Sequence, residues 1–209
     1  MRRAPRYPSK ARLYAALIAL LAWLALAAAV YGWLGKMGGL RSALVQASTF
    51  YTNWTGLAAA VVFTGIALSF RPLGRPEVIG NMQVLVVVLA LLYWGMTGVG
   101  GFLSSSPAEM FLHAGLPPMV VGFWLGFSPR RRMTQLLPPI WLAIPMAYMV
   151  HFMTIGARTG RYPYPAVDVG QRGMVDVMTV LACTLVIALL AGYAIVALDE
   201  RLREPSWRR

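Results

Sequence analysis

Two histidines, an aspartate at the edge of an apolar run and a few threonines are the residues of this chain whose types could do chemistry. An imidazole exchanges protons near neutral pH. A threonine hydroxyl becomes a nucleophile when such a base stands within hydrogen-bond reach. Thr52 is the candidate nucleophile and His113 the candidate general base: Thr52 would attack an ester carbonyl while His113 takes its proton. Asn53, or a backbone N–H freed from its helix, would hold the oxyanion, and His151 or Asp176 would orient the base. Thr55 shares a face with Thr52 and Gly56, and Thr97 joins the group by depth. Plainer roles stand beside these. A threonine in a membrane helix ordinarily bonds its own backbone or a neighbour. A buried histidine is often an interhelical hydrogen-bond partner. Asp176, four residues after Arg172, suits a helix-end ion pair or a place among the headgroups.

The elements that must position these groups are six long apolar segments: Tyr14–Leu34, Phe50–Phe70, Asn81–Gly101, Ala108–Phe127, Leu136–Ile155 and Val175–Leu198. A crossing helix needs about 20 apolar residues, because the hydrocarbon core of a bilayer is roughly 30 Å thick. The chain has 209 residues, of which 58% are hydrophobic and 12% charged, and six such helices leave no room for a second, soluble domain. The expectation is an all-α fold: one integral membrane domain over residues 1–209, a bundle of six transmembrane helices. In such a bundle the even-numbered spans begin on the face where the odd-numbered ones end. Thr52 begins the second span, and His113 lies about two turns into the fourth. His151 precedes the end of the fifth by about one turn, and Asp176 opens the sixth. All four, with Thr97 near the end of the third, therefore share the outer third of the membrane. Ionisable groups there are costly, which makes them functional candidates by default.

The net charge of +12 does not point to nucleic acid, because the basic residues gather at alternate span ends. The two termini and the connections after the second and fourth spans hold 14 of the 19 basic residues, and the opposite connections hold 5. The positive-inside rule then puts both termini in the cytoplasm. This predicts a multi-pass protein of the cell (inner) membrane. Only Lys10 and Lys36 are lysines, and with abundant Ala and Gly this suits a GC-rich bacterial genome. The first apolar run continues to Leu34, longer than a secretory signal core, and is read as an uncleaved helix. The single cysteine, Cys183, excludes an intrachain disulfide and is read as a packing residue. Two histidines without paired cysteines make no metal-ligand cluster. Neither a phosphate-cradling glycine loop nor a dinucleotide fingerprint occurs. No metal and no organic cofactor is expected.

Local signals refine the bundle. Ser106-Pro107-Ala108-Glu109 fits a capping box at the start of the fourth helix. Pro117 and Pro118 then deprive the carbonyls of His113 and Ala114 of their partners, so this bend must face protein or a wet cavity. Pro145 should kink the fifth helix. Gly95, Gly98, Gly100 and Gly101 suit close helix packing. The longest outer connection, Arg158–Gly173, contains Tyr162-Pro163-Tyr164-Pro165, a stiff extended stretch that forms either a lid over the bundle or an interfacial anchor.

Several of these segments resemble a known family. Phe50-Tyr51-Thr52-Asn53-Trp54-Thr55-Gly56 resembles the aromatic-aromatic-Thr-x-x-Ser-Asn segment that opens helix two of bacterial six-helix proteins of the Pr-six-Pr type. Phe111-Leu112-His113 followed by Pro117 or Pro118 and Trp124 resembles their fourth helix. Trp141 through Pro145 to Tyr148, then Thr159-Gly160-Arg161-Tyr162-Pro163-Tyr164-Pro165 and Asp168, resembles their fifth helix and outer loop. That group is similar to the eukaryotic androgen-induced and androgen-dependent TFPI-regulating membrane proteins. These hydrolyse fatty-acid esters of hydroxy fatty acids with a threonine nucleophile and a histidine. The resemblance implies the same roles for Thr52 and His113. The chain departs from the pattern in having Gly56 at the Asn position and Thr55 at the Ser position.

The expected function is thus a threonine-nucleophile hydrolase of lipid esters near the outer leaflet, with membrane lipids as surroundings and a lipid ester as substrate. The alternative is a non-catalytic membrane protein: a small transporter, a lipid binder or an assembly partner, with His113, His151 and Asp176 as a binding or proton-linked site.

Overall fold

The computed structural model of the chain describes residues 5–103 and 105–208, and the side chains of these apart from 96–102 and 208. Among the described residues every regular element is helical. That is what lipid demands of a crossing segment, because a helix satisfies its own N–H and C=O groups. In chain order the α-helices are α1 (Ser9–Met37), α2 (Leu40–Ser48), α3 (Tyr51–Ala67), α4 (Pro76–Leu103) and α5 (Pro107–Met110). A π-helical turn, Phe111–Gly115, leads into α6 (Leu116–Phe127). Then come α7 (Leu137–Trp141), α8 (Ala143–Thr159), α9 (Val169–Arg172) and α10 (Met174–Arg201).

Among the described residues five stretches are long and apolar enough to cross a membrane: Ser9–Met37, Pro76–Gly95, Pro107–Phe127, Leu137–Thr159 and Met174–Arg201. The expected span Phe50–Phe70 takes the form of α3, whose 17 residues cover about 25 Å at 1.5 Å per residue. Phe50 enters it in extended backbone. At its end Ser69 N–H donates to the Ile66 carbonyl (3.0 Å) and Phe70 N–H to the Gly65 carbonyl (2.7 Å). These are the paired bonds of a Schellman turn, with Ser69 in the left-handed region at φ 63.

The first helix shows how a bilayer sorts side chains. Ala11, Ala15, Ala19, Ala22 and Ala25 are buried on one face, while Leu13, Leu17, Leu20 and Leu24 are exposed on the other. Without water to drive helices together, close backbone approach through small residues does the work, and α1 lies along α3 on this stripe. Gly56 of α3 continues it. A Cβ there would sit 3.1 Å from Leu112 and 3.4 Å from Leu26, so the helix bearing His113 presses against α3 at this point. The central helix is α4, which packs on α3, α6 and α10; Ile79, Met82, Leu85, Val86 and Leu89 are all buried. At Gly95 an added Cβ would meet open space, so no helix crosses closely there; Gly98, Gly100 and Gly101 lie outside the described side chains.

Two irregularities follow from proline. The stretch Leu137–Thr159 breaks at Leu142, one turn before Pro145, because the Trp141 carbonyl has no N–H to receive at Pro145. In the stretch Pro107–Phe127 the missing N–H groups of Pro117 and Pro118 are accommodated by widening one turn, with Leu116 N–H donating to the Phe111 carbonyl five residues back. At the end carrying both termini, a buried pair fastens the loop after α6 to the end of α10. Arg130 Nη1 lies 3.7 Å from Asp199 Oδ1. Arg130 Nη2 donates to the carbonyls of Trp124 and Leu125 (2.8 Å each), and Asp199 Oδ2 accepts from Arg132 N–H (3.2 Å).

Candidate functional site

Thr52 stands in the first turn of α3, where the carbonyl it would ordinarily bond, four residues back, is that of Ser48. That carbonyl already accepts the Trp54 indole N–H (2.8 Å). Thr49, Thr154, Thr159, Thr179 and Thr184 all donate to backbone carbonyls close behind them in sequence. Thr52 instead reaches across to the π turn, and its Oγ1 lies 2.9 Å from His113 Nε2. Both residues are buried, at 8% and 7% exposure.

His113 reaches Thr52 from the π turn. The extra residue in that turn changes the angular position of the residues that follow, and such bulges are frequent at functional sites. The turn starts from a fixed point, because the expected capping box is present: Ser106 N–H donates to the Glu109 carboxylate (2.8 Å) and Glu109 N–H to the Ser106 hydroxyl (3.3 Å). His113 Nδ1 is 2.8 Å from the Glu109 carbonyl. A carbonyl only accepts, so Nδ1 carries the proton, and Nε2 offers its lone pair to the threonine hydroxyl. Tyr93 of α4 closes one face of the ring, stacked at 3.6 Å between centroids and 18° between planes. Its own hydroxyl lies 2.8 Å from Ser105 Oγ.

The loop after α8 folds over this pair as a lid. Gly160, at φ 68, ends α8 and turns the chain back. Tyr162 then packs onto Gly156, where any side chain would strike its ring. Tyr164 reaches inward. Its ring meets Phe50 edge-on at 6.0 Å, and its hydroxyl accepts from Tyr51 N–H (3.2 Å) and neighbours the hydroxyls of Thr52 and Tyr148. Burial pushes the Tyr164 hydroxyl's pKa up, so it keeps its proton. Tyr148 donates to the Thr49 carbonyl (2.8 Å), which fixes the turn before α3.

Two cavities meet at the pair. On the bundle side an apolar chamber of about 80 Å³ is bounded by Leu89, Leu92, Met149, Phe152 and Leu181. Toward the α1–α2 turn a larger vestibule of about 520 Å³ is bounded by Trp33, Lys36, Asn53, Ser106 and Glu109. Thr52, His113, Tyr93 and Tyr164 line both. The Lys36 ammonium stands 5.1 Å over the Trp33 ring.

The other sequence candidates fall elsewhere. Asn53 Nδ2 donates to the Ala47 carbonyl (2.8 Å), so it braces the turn after α2 while still lining the vestibule. Thr55 is fully buried against the Tyr51 hydroxyl. His151 forms a separate group: its Nε2 lies 2.9 Å from Ser48 Oγ and its ring 5.4 Å from Trp54. The Ser48 hydroxyl proton goes to the Val45 carbonyl (2.7 Å), so the imidazole is the donor in that contact. Asp176 is exposed in the first turn of α10. The side chain of Thr97 lies outside the described residues. Among those residues no group of acidic, histidine or cysteine side chains could hold a metal ion. The contributors that sequence reasoning did not place in the site are Tyr93 and Tyr164; the signal for the second was the Tyr-Pro-Tyr-Pro loop. No protein-family model matches the chain, and no curated protein and no solved structure matches it.

Proposed function

We propose that this chain is a six-span membrane hydrolase of lipid esters, of the kind that cleaves fatty-acid esters of hydroxy fatty acids, with Thr52 as nucleophile and His113 as base. In this reading α3 is the second span despite its length, both termini face the cytoplasm, and the site opens near the outer leaflet of the cell membrane. The observation that carries it is the 2.9 Å approach of Thr52 Oγ1 to His113 Nε2, with Nδ1 held on the Glu109 carbonyl.

The reaction runs in two steps. His113 Nε2 takes the hydroxyl proton as Thr52 Oγ1 attacks the ester carbonyl, and the Tyr164 hydroxyl donates to the developing oxyanion. The tetrahedral species collapses with the C–O bond of the alcohol breaking. The leaving oxygen takes the proton from His113, and the acyl group stays on Thr52. Water then attacks the acyl-threonine, giving a proton to His113 and the hydroxyl to the carbonyl carbon. Thr52 leaves with that proton and the fatty acid is free. No metal or cofactor enters. Lys36 at the vestibule rim offers a counter-charge for the free carboxylate that such substrates bear.

Labelling with a lipid-like fluorophosphonate tests this directly. The expected adduct is on Thr52 by peptide mass spectrometry, and it is lost in His113→Ala. Ester turnover should fall by about 10³-fold or more in Thr52→Ala and in His113→Ala, with the thermal melt in detergent retained. Full turnover in either variant, or an unlabelled Thr52 in a protein that also cleaves no lipid ester, refutes the assignment and leaves a non-catalytic lipid binder.

A further inference from the structure

A second concave site lies at the opposite end of the bundle, where the segment preceding α1 crosses the α3–α4 turn. It is a pocket of about 380 Å³, and three of its nine lining residues are arginines: Arg6, Arg12 and Arg71. None of the lining residues is acidic, and among the described residues none of these three arginines takes part in an ion pair. Arg130, by contrast, is buried beside its own carboxylate. Orienting a membrane protein needs positive charge on one face; it does not need three arginines to line one hollow, where like charges repel.

The walls are built to hold the hollow open. The Tyr7 hydroxyl donates to the Gly74 carbonyl (2.9 Å), tying the N-terminal segment to the turn. Arg12 Nε donates to the Ala67 carbonyl (3.0 Å) at the end of α3, which leaves the other guanidinium N–H groups available. Ser69 occupies the left-handed position of the Schellman turn, at φ 63, a conformation glycine adopts at lower cost. In exchange it adds a hydroxyl to the pocket wall. Leu68 and Phe70, on either side of it, are 75% and 57% exposed, as suits side chains resting among acyl chains.

From this convergence we propose that the pocket binds the phosphate of an anionic membrane lipid. The planar forks of Arg6, Arg12 and Arg71 would hold the phosphate oxygens, Ser69 would donate a hydrogen bond, and the acyl chains would lie along Leu68 and Phe70. The recognised chemistry is a phosphate oxyanion. The exposed apolar flanks favour a lipid over free phosphate as its source.

The test uses the full chain purified in detergent, with native mass spectrometry after exposure to phosphatidylglycerol or phosphatidylcholine. Wild type should retain phosphatidylglycerol preferentially. Arg6→Gln/Arg71→Gln, with Arg12 left to hold α3, should lower that retention about tenfold. Arg201→Gln/Arg203→Gln, which removes the same charge from the C-terminal segment at the same end of the bundle, should lower it less than about twofold. Equal loss in the two double variants, or no lipid preference in wild type, overturns the site. Inorganic phosphate alone stabilising the protein as well as phosphatidylglycerol does overturns the lipid as source. Ser69→Gly should weaken retention while leaving the melting temperature unchanged or higher. If the arginine variant does not fold, unchanged retention in Ser69→Gly decides against the proposal.

Discussion

His113 has its two nitrogens fixed by neighbours of opposite kind, a carbonyl that can only accept and a hydroxyl free to donate. Many nucleophile–base pairs use a carboxylate as the third member. Here a backbone dipole orients the ring, and the nearby carboxylate of Glu109 is spent on the helix cap. A carbonyl stabilises an imidazolium less than a full negative charge would. The face of Tyr93, stacked on the ring, adds a favourable surface for the cation. Tyr164 is the other residue whose proton matters. Tyr164→Phe removes the hydroxyl and leaves the ring against Phe50, so kcat for ester cleavage should fall about a hundredfold with KM little changed; steady-state kinetics on the folded variant check this. That Thr52 and His113 lie at one level of the bundle was legible in the sequence, because depth along a span follows from residue count alone. Tyr164 was legible only as part of a stiff loop, since its place depends on how that loop turns back after Gly160. The roles expected of His151 and Asp176 rested on shared depth. Depth does not fix which face of a helix a residue occupies, and His151 turns toward Ser48.

Among the elements, the stretch Pro107–Phe127 joins local chemistry to site geometry most directly. Two consecutive prolines starve two carbonyls, the helix widens by a residue, and the widened turn is the one that carries His113. Pro117→Ala/Pro118→Ala returns both donors and lets an ordinary α-helical ladder compete with the π turn. The expected outcome is a melting temperature equal to or above wild type, with kcat about tenfold to a hundredfold lower as the imidazole shifts; thermal melts and turnover on one preparation separate these effects. The interruption was readable from the two prolines. Its form was not, because a missing N–H can be met by a kink, a water or a wider turn, and packing against Gly56 and Tyr93 decides among them. The second expected span illustrates the same limit. Its apolar run was plain, but the Schellman turn that stops α3 early is formed by Leu68, Ser69 and Phe70 without a glycine to announce it. The helix α2, between the first two expected spans, has an ordinary polar composition and no start or stop signal strong enough to separate it from a loop.

For the molecule as a whole, the two ends are fastened differently. The end bearing Thr52 and His113 is closed by aromatic contacts and single hydrogen bonds around the lid, the other by the buried Arg130–Asp199 pair. Asp199→Asn would strand a guanidinium among the Trp124 ring and helix carbonyls. Loss of one partner from a buried pair costs about 3–5 kcal/mol, which should appear as a much lower melting temperature in detergent. Asp176→Asn, at an exposed position, should stay within about 0.5 kcal/mol of wild type. The membrane character of the chain was legible from composition because lipid imposes one rule on every crossing. How the crossings pack was not, since that turns on small residues such as the alanines of α1 whose partners lie on other helices. The meeting of a greasy chamber and a wetter antechamber at one hydroxyl also has a consequence for traffic. In the proposed reading, the part of a cleaved substrate lying toward Leu89 and Phe152 is left in the chamber and the part lying toward Lys36 in the vestibule, so the two products part company at the hydroxyl itself.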